Sequence, residues 1–406
     1  AVLGAPSDFF YLLDDIEAND QGCWTFSGDD PVWNDDATGY TCFAEKHAFR
    51  RRILLAGTNS GLVHAIDAGN WEYSLDSGGG TAIVDEGPQQ NYGSGQELFA
   101  YAPRAALPRL RLQADGEDRA TGTWGVDGPL TLADVFIDPV HTGIPTAADR
   151  EWRSVTLGGL REGGRSYFAL DVTQPDQLES AYLKDPALDI SPFDTPAVIT
   201  AKKKLLAQPL PTDGVASTPS KTRPSNSGYV PSCADNYTAS DCGPLEYPTV
   251  LWEFDLDDLP SGADVGLSCS PDDPILNPTC GPSLGYTWSK PVVGRIQVTV
   301  PAGGNKTNEV VRYVAFIGGG LDPANPADIG NWIYMIDMET GFPIYARQVE
   351  GSIPSEVAAV DTDQDNLVDT VYFGTHSGFM YKIDLSIPAL LEDVSGASTW
   401  PGGRAV

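Results

Sequence analysis

One pattern recurs along the chain and restricts its fold more than any other feature. It is an aliphatic strand, a glycine turn and a second strand that ends in aspartate. The four copies are residues 53–68 (ILLAGTNSGLVHAIDA), 154–172 (SVTLGGLREGGRSYFALDV), 313–341 (which contains YVAFIGGG and WIYMIDMETG) and 370–385 (TVYFGTHSGFMYKIDL). Each copy is rich in β-branched and aromatic residues and has glycine where a hairpin turn needs positive φ. Each copy therefore predicts a β-hairpin.

The spacing of the copies predicts a repeat architecture. The closing aspartates of the four hairpins are Asp67, Asp171, Asp337 and Asp384. The last two lie 47 residues apart, close to one propeller blade of roughly 40–50 residues. We expect an all-β fold, a single β-propeller domain over residues 1–406 with about six or seven blades. An ordinary β-sandwich is the alternative, although the motif extends further than a sandwich normally runs.

Three segments interrupt the repeat: residues 19–42, 190–248 and 260–283. They are rich in proline, serine, threonine or aspartate and lack clear strand alternation. We interpret them as loops inserted into the propeller. Such loops on a rigid scaffold either carry binding specificity or are solvated decoration.

The six cysteines fall into three couples that are near neighbours in sequence. The simplest of the 15 connectivities is local, with pairs 23–42, 233–242 and 269–280. A metal site is the alternative, but there is no CxxC motif and the histidines are distant in sequence. Disulfides are therefore favoured, and they imply an oxidising compartment.

The formal net charge of −31 over 406 residues restricts the partners of the chain. Such a surface repels nucleic acid and anionic lipid, whereas it attracts cations. No apolar run approaches the roughly 20 residues that a membrane-spanning helix needs, so we expect no membrane insertion. The first residues show no signal-peptide pattern, which with the disulfides suggests a processed protein or a fragment.

The segment VDTDQDNLVD, residues 360–369, predicts a cation site. Its acids occupy positions 1, 3, 5 and 9 of a loop, namely Asp361, Asp363, Asp365 and Asp369, and position 7 is Leu367. Alternate residues of a tight loop converge on one point, and calcium takes six to eight oxygens in flexible geometry. We predict Ca²⁺ bound by the four carboxylates and the Leu367 backbone carbonyl.

The loop departs from an EF-hand in two places. Asn366 replaces the glycine of position 6, and asparagine tolerates left-handed φ better than most residues. Tyr372 stands at position 12, where an EF-hand has a bidentate glutamate. Water or another carboxylate would complete the shell, and magnesium is less suited because it demands a stricter octahedron.

Other motifs carry less weight. The letters GPSLG around Ser283 match a nucleophile elbow, but an elbow must lie between a strand and a helix, and the following residues read as a strand. The four histidines, His47, His64, His141 and His376, form no close pair in sequence. No nucleotide-cradling loop is present. These observations predict no catalytic residues.

Several stretches resemble the C-terminal propeller of the PilC/PilY family of type IV pilus tip adhesin and biogenesis proteins. The stretches occur in the family's order and are RRILLAGTNSGLVHAIDAG, ELFAYAPRAAL, EWRSVTLGGLREGGRSYFALDVTQP, VLWEFDLDDL, GYTWSKPVVGRI, NWIYMIDMETG and the acidic loop. The resemblance implies a modified, quinoprotein-like propeller of about seven blades. It also implies a secreted or cell-surface bacterial protein located at the pilus tip, with the periplasm in transit.

The resemblance further implies a non-enzymatic, calcium-binding factor that works with minor pilins and the pilus tip complex. In the family, the acidic loop regulates pilus extension against retraction, and the tip supports twitching motility and adhesion to host or abiotic surfaces. Every acidic position of the family motif is filled here. There is no Arg-Gly-Asp triplet, which some members carry, so integrin binding has no support.

Two other functions fit the same architecture. A quinone- and calcium-dependent dehydrogenase shares the propeller, but no adjacent cysteine pair is present and its calcium ligands are scattered. An integrin-like or lectin-like binding propeller repeats its acidic loop in several blades, whereas this chain has one clear copy. The single copy favours a regulatory site.

Overall fold

The computed structural model describes residues 1–138, 150–173, 248–255, 283–390 and 404–405, apart from short gaps inside these ranges. The gaps are residues 9–10, 13–14, 16–17, 20, 28–29, 35–36, 48–49, 70, 76–82, 91–92, 94, 115–123, 302–306 and 342. All but the last residue of each of the two longer expected insertions, and four of the six cysteines, lie outside the described residues.

The described part of the chain is built from four larger β-sheets that follow one another along the sequence. Sheet 1 contains β1 (Val2–Leu3), β4 (Ile53–Gly57), β5 (Val63–Asp67) and β8 (Glu97–Tyr101). Sheet 2 contains β9 (Leu130–Ile137), β10 (Glu151–Gly159), β11 (Tyr167–Asp171) and β12 (Thr249–Phe254). Sheet 3 contains β13 (Val292–Pro301), β14 (Thr307–Gly318), β15 (Trp332–Asp337), β16 (Pro343–Gln348) and β20 (Ala389–Leu390). Sheet 4 contains β17 (Ala358–Val360), β18 (Thr370–Gly374), β19 (Met380–Asp384) and β21 (Arg404–Ala405).

The neighbouring strands of these sheets are antiparallel, except for β20, which runs parallel to β13. Two further ribbons pair β2 (Trp24–Ser27) with β3 (Asp30–Trp33) and β6 (Trp71–Leu75) with β7 (Ile83–Gln90). The helices whose bounds lie within the described residues are α1 (Tyr40–Lys46), a 3₁₀ turn (Arg104–Ala106) and α2 (Leu107–Ala114). None of the described helices is long and apolar enough to cross a membrane.

All four predicted hairpins are confirmed. They are the antiparallel pairs β4–β5, β10–β11, β14–β15 and β18–β19. The turns of the first and last hairpins place Gly61 at φ 90° and Gly378 at φ 87°, a region that strongly favours glycine. The turn chemistry of the repeat therefore explains its most regular elements.

Apolar side chains of successive sheets form three separate cores. One core lies between sheets 1 and 2 and includes Leu55 and Phe168, and a second lies between sheets 2 and 3 and includes Trp252. The third lies between sheets 3 and 4 and includes Phe316 and Phe373. Sheets 2 and 3 each contribute to two cores because alternate side chains of a strand point to opposite faces. The sheets are therefore stacked in chain order.

The closing aspartate of each hairpin has the same local role in all four sheets. Its Oδ1 atom accepts a hydrogen bond from the backbone N–H two residues further on, which is an Asx turn. The bonds run from Gly69 to Asp67 (3.0 Å), from Thr173 to Asp171 (2.9 Å), from Glu339 to Asp337 (2.8 Å) and from Ser386 to Asp384 (3.1 Å). The aspartate therefore stops each second strand at an equivalent point.

An arginine pairs with the closing aspartate in the first three sheets. It lies two residues before the cross-strand partner of that aspartate. The pairs are Arg51–Asp67 (3.9 Å), Arg153–Asp171 (3.5 Å) and Arg312–Asp337 (3.6 Å). In sheet 4 the equivalent position is Val368, since Asp384 pairs with Thr370. Sheet 4 thus departs from the repeat where the acidic loop enters it.

The first expected insertion, residues 19–42, is more ordered than the loop we anticipated. Part of it forms the β2–β3 ribbon, and its end begins helix α1, whose Tyr40 and Phe43 are buried in the core between sheets 2 and 3. The Tyr40 hydroxyl donates to Asp134 Oδ2 at 2.6 Å. The expected disulfide between Cys23 and Cys42 is present and joins the ribbon to the helix. The other two expected pairs lie outside the described residues.

Candidate metal centre

The acidic loop connects β17 to β18, two neighbouring strands of sheet 4. Val360 and Thr370 are cross-strand partners, and the Asp369 N–H donates to the Val360 carbonyl at 3.0 Å. The Leu385 N–H donates to the Asp369 carbonyl at 2.6 Å. The sheet therefore fixes both ends of the loop, and the residues between them form a tight turn.

Asp361, at position 1, organises the first half of the loop. Its Oδ1 accepts the Gln364 N–H at 2.6 Å and its Oδ2 accepts the Asn366 N–H at 2.8 Å. Gln364 and Asn366 have φ of 67° and 63°. The expected left-handed conformation at position 6 is therefore confirmed, and asparagine replaces glycine there at low steric cost.

Asp369, at position 9, closes the loop. Its Oδ2 accepts both the Thr362 N–H (2.6 Å) and the Thr362 hydroxyl (2.5 Å). A carboxylate offers about four lone-pair sites, so these bonds leave Asp369 able to bind a cation. The two end carboxylates are thus oriented by the backbone of the loop itself.

Three of the predicted ligands lie together. One carboxylate oxygen each from Asp361, Asp363 and Asp369 lies within 4.8 Å of the others. Two oxygens on opposite sides of one Ca²⁺ are about 4.6–5.2 Å apart, twice the usual Ca–O distance. The donor set and its spacing therefore fit calcium, with Asp363 exposed and the other two half-buried.

Asp365, the fourth predicted acid, lies outside this group of three. Its Oδ1 accepts the Leu367 N–H at 2.8 Å. Partial burial raises the pKa of Asp365, and the carboxylates of Asp363, Asp361 and Asp369 raise it further. Like charges are thus crowded here, and among the described residues none of the four acids forms an ion pair with a basic side chain.

Arg295, a residue of sheet 3, forms two hydrogen bonds with the backbone of the loop. The Val368 N–H donates to the backbone carbonyl of Arg295 on β13 at 2.7 Å. The Arg295 Nε–H donates to the Asn366 carbonyl at 3.0 Å. Sequence reasoning missed Arg295; its signal is a lone arginine inside the apolar strand VVGRIQV.

The described histidines do not join the metal cluster. His47 is buried against Phe43, and burial lowers its pKa, so it is neutral. His64 Nδ1 lies 2.7 Å from Glu97 Oε2. His376 is exposed, and its backbone N–H donates to the Ser352 carbonyl. His141 lies outside the described residues.

Ser283 has a structural role in the loop that precedes β13. Its hydroxyl accepts the Gly330 N–H at 3.1 Å and lies 3.3 Å from Asn331 Oδ1. The residues after it form an isolated bridge between Tyr286 and Leu321, and no helix follows before β13. The expectation that GPSLG is not a nucleophile elbow is therefore confirmed.

Comparisons with known proteins identify relatives over part of the chain. A type IV pilus biogenesis factor PilY1 homolog of Xylella fastidiosa (strain Temecula1) is 31% identical over 172 residues, covering 42% of this chain and 11% of the relative. PilY1 of Pseudomonas aeruginosa PAO1 is 28% identical over 141 residues, covering 34% of this chain and 9% of the relative. PilY1 of strain UCBPP-PA14 is 31% identical over 190 residues, with 47% and 12% covered. The chain therefore spans only a small part of these relatives' length.

No protein-family model matches the chain. The crystal structure of the Pseudomonas aeruginosa PilY1 C-terminal domain aligns with a TM-score of 0.42 and 20% identity, covering 86% of this chain and 41% of that one. Over about a third to a half of its length, this chain is thus similar in sequence to several PilY1 proteins, which are named as type IV pilus biogenesis factors.

Proposed function

We propose that this chain is a calcium-binding, non-enzymatic module of a type IV pilus biogenesis factor. The observation that carries the proposal is the convergence of Asp361, Asp363 and Asp369 oxygens within 4.8 Å. Asp365 and the Leu367 carbonyl complete the set of protein ligands as the ion draws the loop together. Bound calcium neutralises the crowded carboxylates, so the net charge of the loop depends on whether the ion is bound.

The functions of the family indicate where a calcium-dependent change in the charge of the loop would act. The proposed location is the cell surface at the pilus tip, and the proposed partners are minor pilins and the tip complex. Occupancy of the loop biases pilus extension against retraction, and so affects twitching motility and surface adhesion. The support is the naming of the relatives as type IV pilus biogenesis factors and the presence of every acid of the family motif.

The proposed architecture is a β-propeller of about seven blades that corresponds to the C-terminal domain of the family. The support is the stacking of four successive sheets through three separate cores. Equivalent Asx turns and arginine–aspartate pairs indicate that these sheets are copies of one unit. In a propeller, repeated four-stranded blades meet in the same way.

Calcium titration calorimetry tests the ligand set. Asp363→Asn removes a charge from an exposed side chain that makes no hydrogen bond to the described residues, so the fold is kept. We expect calcium affinity to fall by about tenfold or more, because affinity follows the number of ligand charges. The same change in the intact protein should alter surface piliation or twitching.

Glu350→Gln is the matched control, because it removes one exposed charge outside the loop. It should bind calcium as the unmodified protein does. Absence of calcium binding by the unmodified protein would remove the proposal. Normal piliation with a variant that no longer binds calcium would remove the regulatory role alone.

A further inference from the structure

Arg295 is among the largest fully buried side chains of the described residues, with 1% of its surface exposed. It lies on β13 opposite Tyr313 of β14. Burying a guanidinium is costly unless its donors and charge are used. Its position therefore calls for an explanation other than packing.

One end of Arg295 is committed to the acidic loop. Its Nε–H donates to the Asn366 carbonyl, and its own carbonyl accepts the Val368 N–H. These two bonds hold the peptide groups on either side of Leu367. Since a trans peptide places C=O opposite N–H, anchoring the Val368 N–H makes the Leu367 carbonyl point away from β13. Arg295 thus orients the carbonyl that we assign to position 7.

The other end of Arg295 faces the N-terminal part of the chain. Its Cζ atom lies 4.6 Å from the centre of the Tyr11 ring, within cation–π range. Its Nη1 and Nη2 atoms have no hydrogen-bond partner among the described residues. No described loop carboxylate forms an ion pair with it. Its charge therefore interacts with the Tyr11 ring and with the Asp15 carboxylate, and its contact with the loop is through the backbone.

We infer that Arg295 is a positioning residue for the acidic loop, which sets calcium affinity by fixing the peptide groups around Leu367. The inference rests on the proposed calcium site and names a residue of sheet 3 that serves a site in sheet 4. Outer-shell partners of metal ligands typically change affinity by about 10- to 100-fold. A charge effect alone would act in the opposite direction, because removing a buried cation near the loop would strengthen calcium binding.

Arg295→Met tests the inference by calorimetry with CaCl₂. We expect at least about tenfold weaker binding, with Arg295→Lys intermediate because lysine keeps the charge and an N–H donor group but lacks the planar guanidinium. Arg165→Met is the matched control, since Arg165 also stacks on a ring (Tyr286, 5.3 Å) and pairs with Asp322, far from the loop in sequence. The control should leave calcium affinity unchanged.

Melting temperatures measured in chelator separate positioning from a structural role. A variant that is destabilised in chelator but binds calcium with unchanged affinity would overturn the inference, as would tighter binding by Arg295→Met. If Arg295→Met does not fold, Tyr11→Leu decides, because loss of the ring that holds the guanidinium should also weaken calcium binding. Failure of the unmodified protein to bind calcium would instead overturn the proposed function.

Discussion

Asp365 is a residue of the acidic loop whose pKa is raised by its surroundings. Partial burial and the neighbouring carboxylates raise its pKa above the ordinary value of 3.8. Without calcium, the folded protein therefore holds a proton at Asp365 more tightly than the unfolded chain does. The free energy of unfolding consequently falls as the pH rises through this pKa.

Asp365→Asn should remove this fall in the free energy of unfolding, because asparagine carries no titratable charge. Asparagine also keeps an acceptor for the Leu367 N–H. We expect a higher melting temperature than that of the unmodified protein at pH 7 in chelator. The gain should shrink as the pH is lowered and vanish below 3.8. Thermal melts across this range check it; a gain that does not depend on pH would contradict the assigned cause.

Contiguity in sequence explains which residues of the site could be predicted. Asp361, Asp363 and Asp369 are brought together by a turn whose spacing is visible in nine residues. Arg295 reaches Asn366 across 71 positions of the chain, and no local pattern encodes that contact. Spacing also predicts Asp365 as a ligand, and this stays a prediction, because Asp365 lies outside the group of three and its Oδ1 accepts the Leu367 N–H.

At the scale of the strand pair, the repeated arginine–aspartate pair provides a matched comparison. Arg312 is buried and contacts both Asp337 (3.6 Å) and Glu339 (3.3 Å), whereas Arg51 is partly exposed and lies 3.9 Å from Asp67. Removing one partner of a buried pair leaves uncompensated charge and costs about 3–5 kcal/mol. An exposed pair contributes about 0–1 kcal/mol.

We therefore expect Arg312→Met to lower the free energy of unfolding by about 3–5 kcal/mol. Arg51→Met, at the equivalent position of sheet 1, should lower it by no more than about 1 kcal/mol. Urea unfolding of both variants in the same buffer gives the two values. Equal losses would mean that the pair acts by its position in the repeat and not by its burial.

Local chemistry predicted the hairpins, but not the partners that complete each sheet. The β4–β5 and β18–β19 pairs follow from a glycine turn between two apolar strands. The pairing of β1 with β4 and the parallel pairing of β20 with β13 join segments that are distant in sequence. Helix α1 was also missed, because its seven residues become helical through burial of Tyr40 and Phe43 against other sheets.

At the scale of the whole molecule, the net charge of −31 opposes compaction. Salt screens this repulsion, with a Debye length of about 8 Å at 0.15 M. Any cation therefore stabilises the chain to some degree, and a rise in melting temperature on adding calcium is not by itself evidence of a site. The two effects differ in their dependence on concentration and on the identity of the ion.

Melting in 0.3 M NaCl separates general screening from specific calcium binding, because added millimolar salt then changes screening little. Under these conditions calcium should still raise the melting temperature, because a ligand at 100 times its Kd stabilises the folded state by about 2.7 kcal/mol. Magnesium should do so less, since it demands shorter bonds and stricter geometry than this loop provides. Differential scanning calorimetry of the unmodified protein and Asp363→Asn measures both effects. Equal responses of the two proteins to calcium would assign the stabilisation to bulk charge and leave the loop without a specific ion.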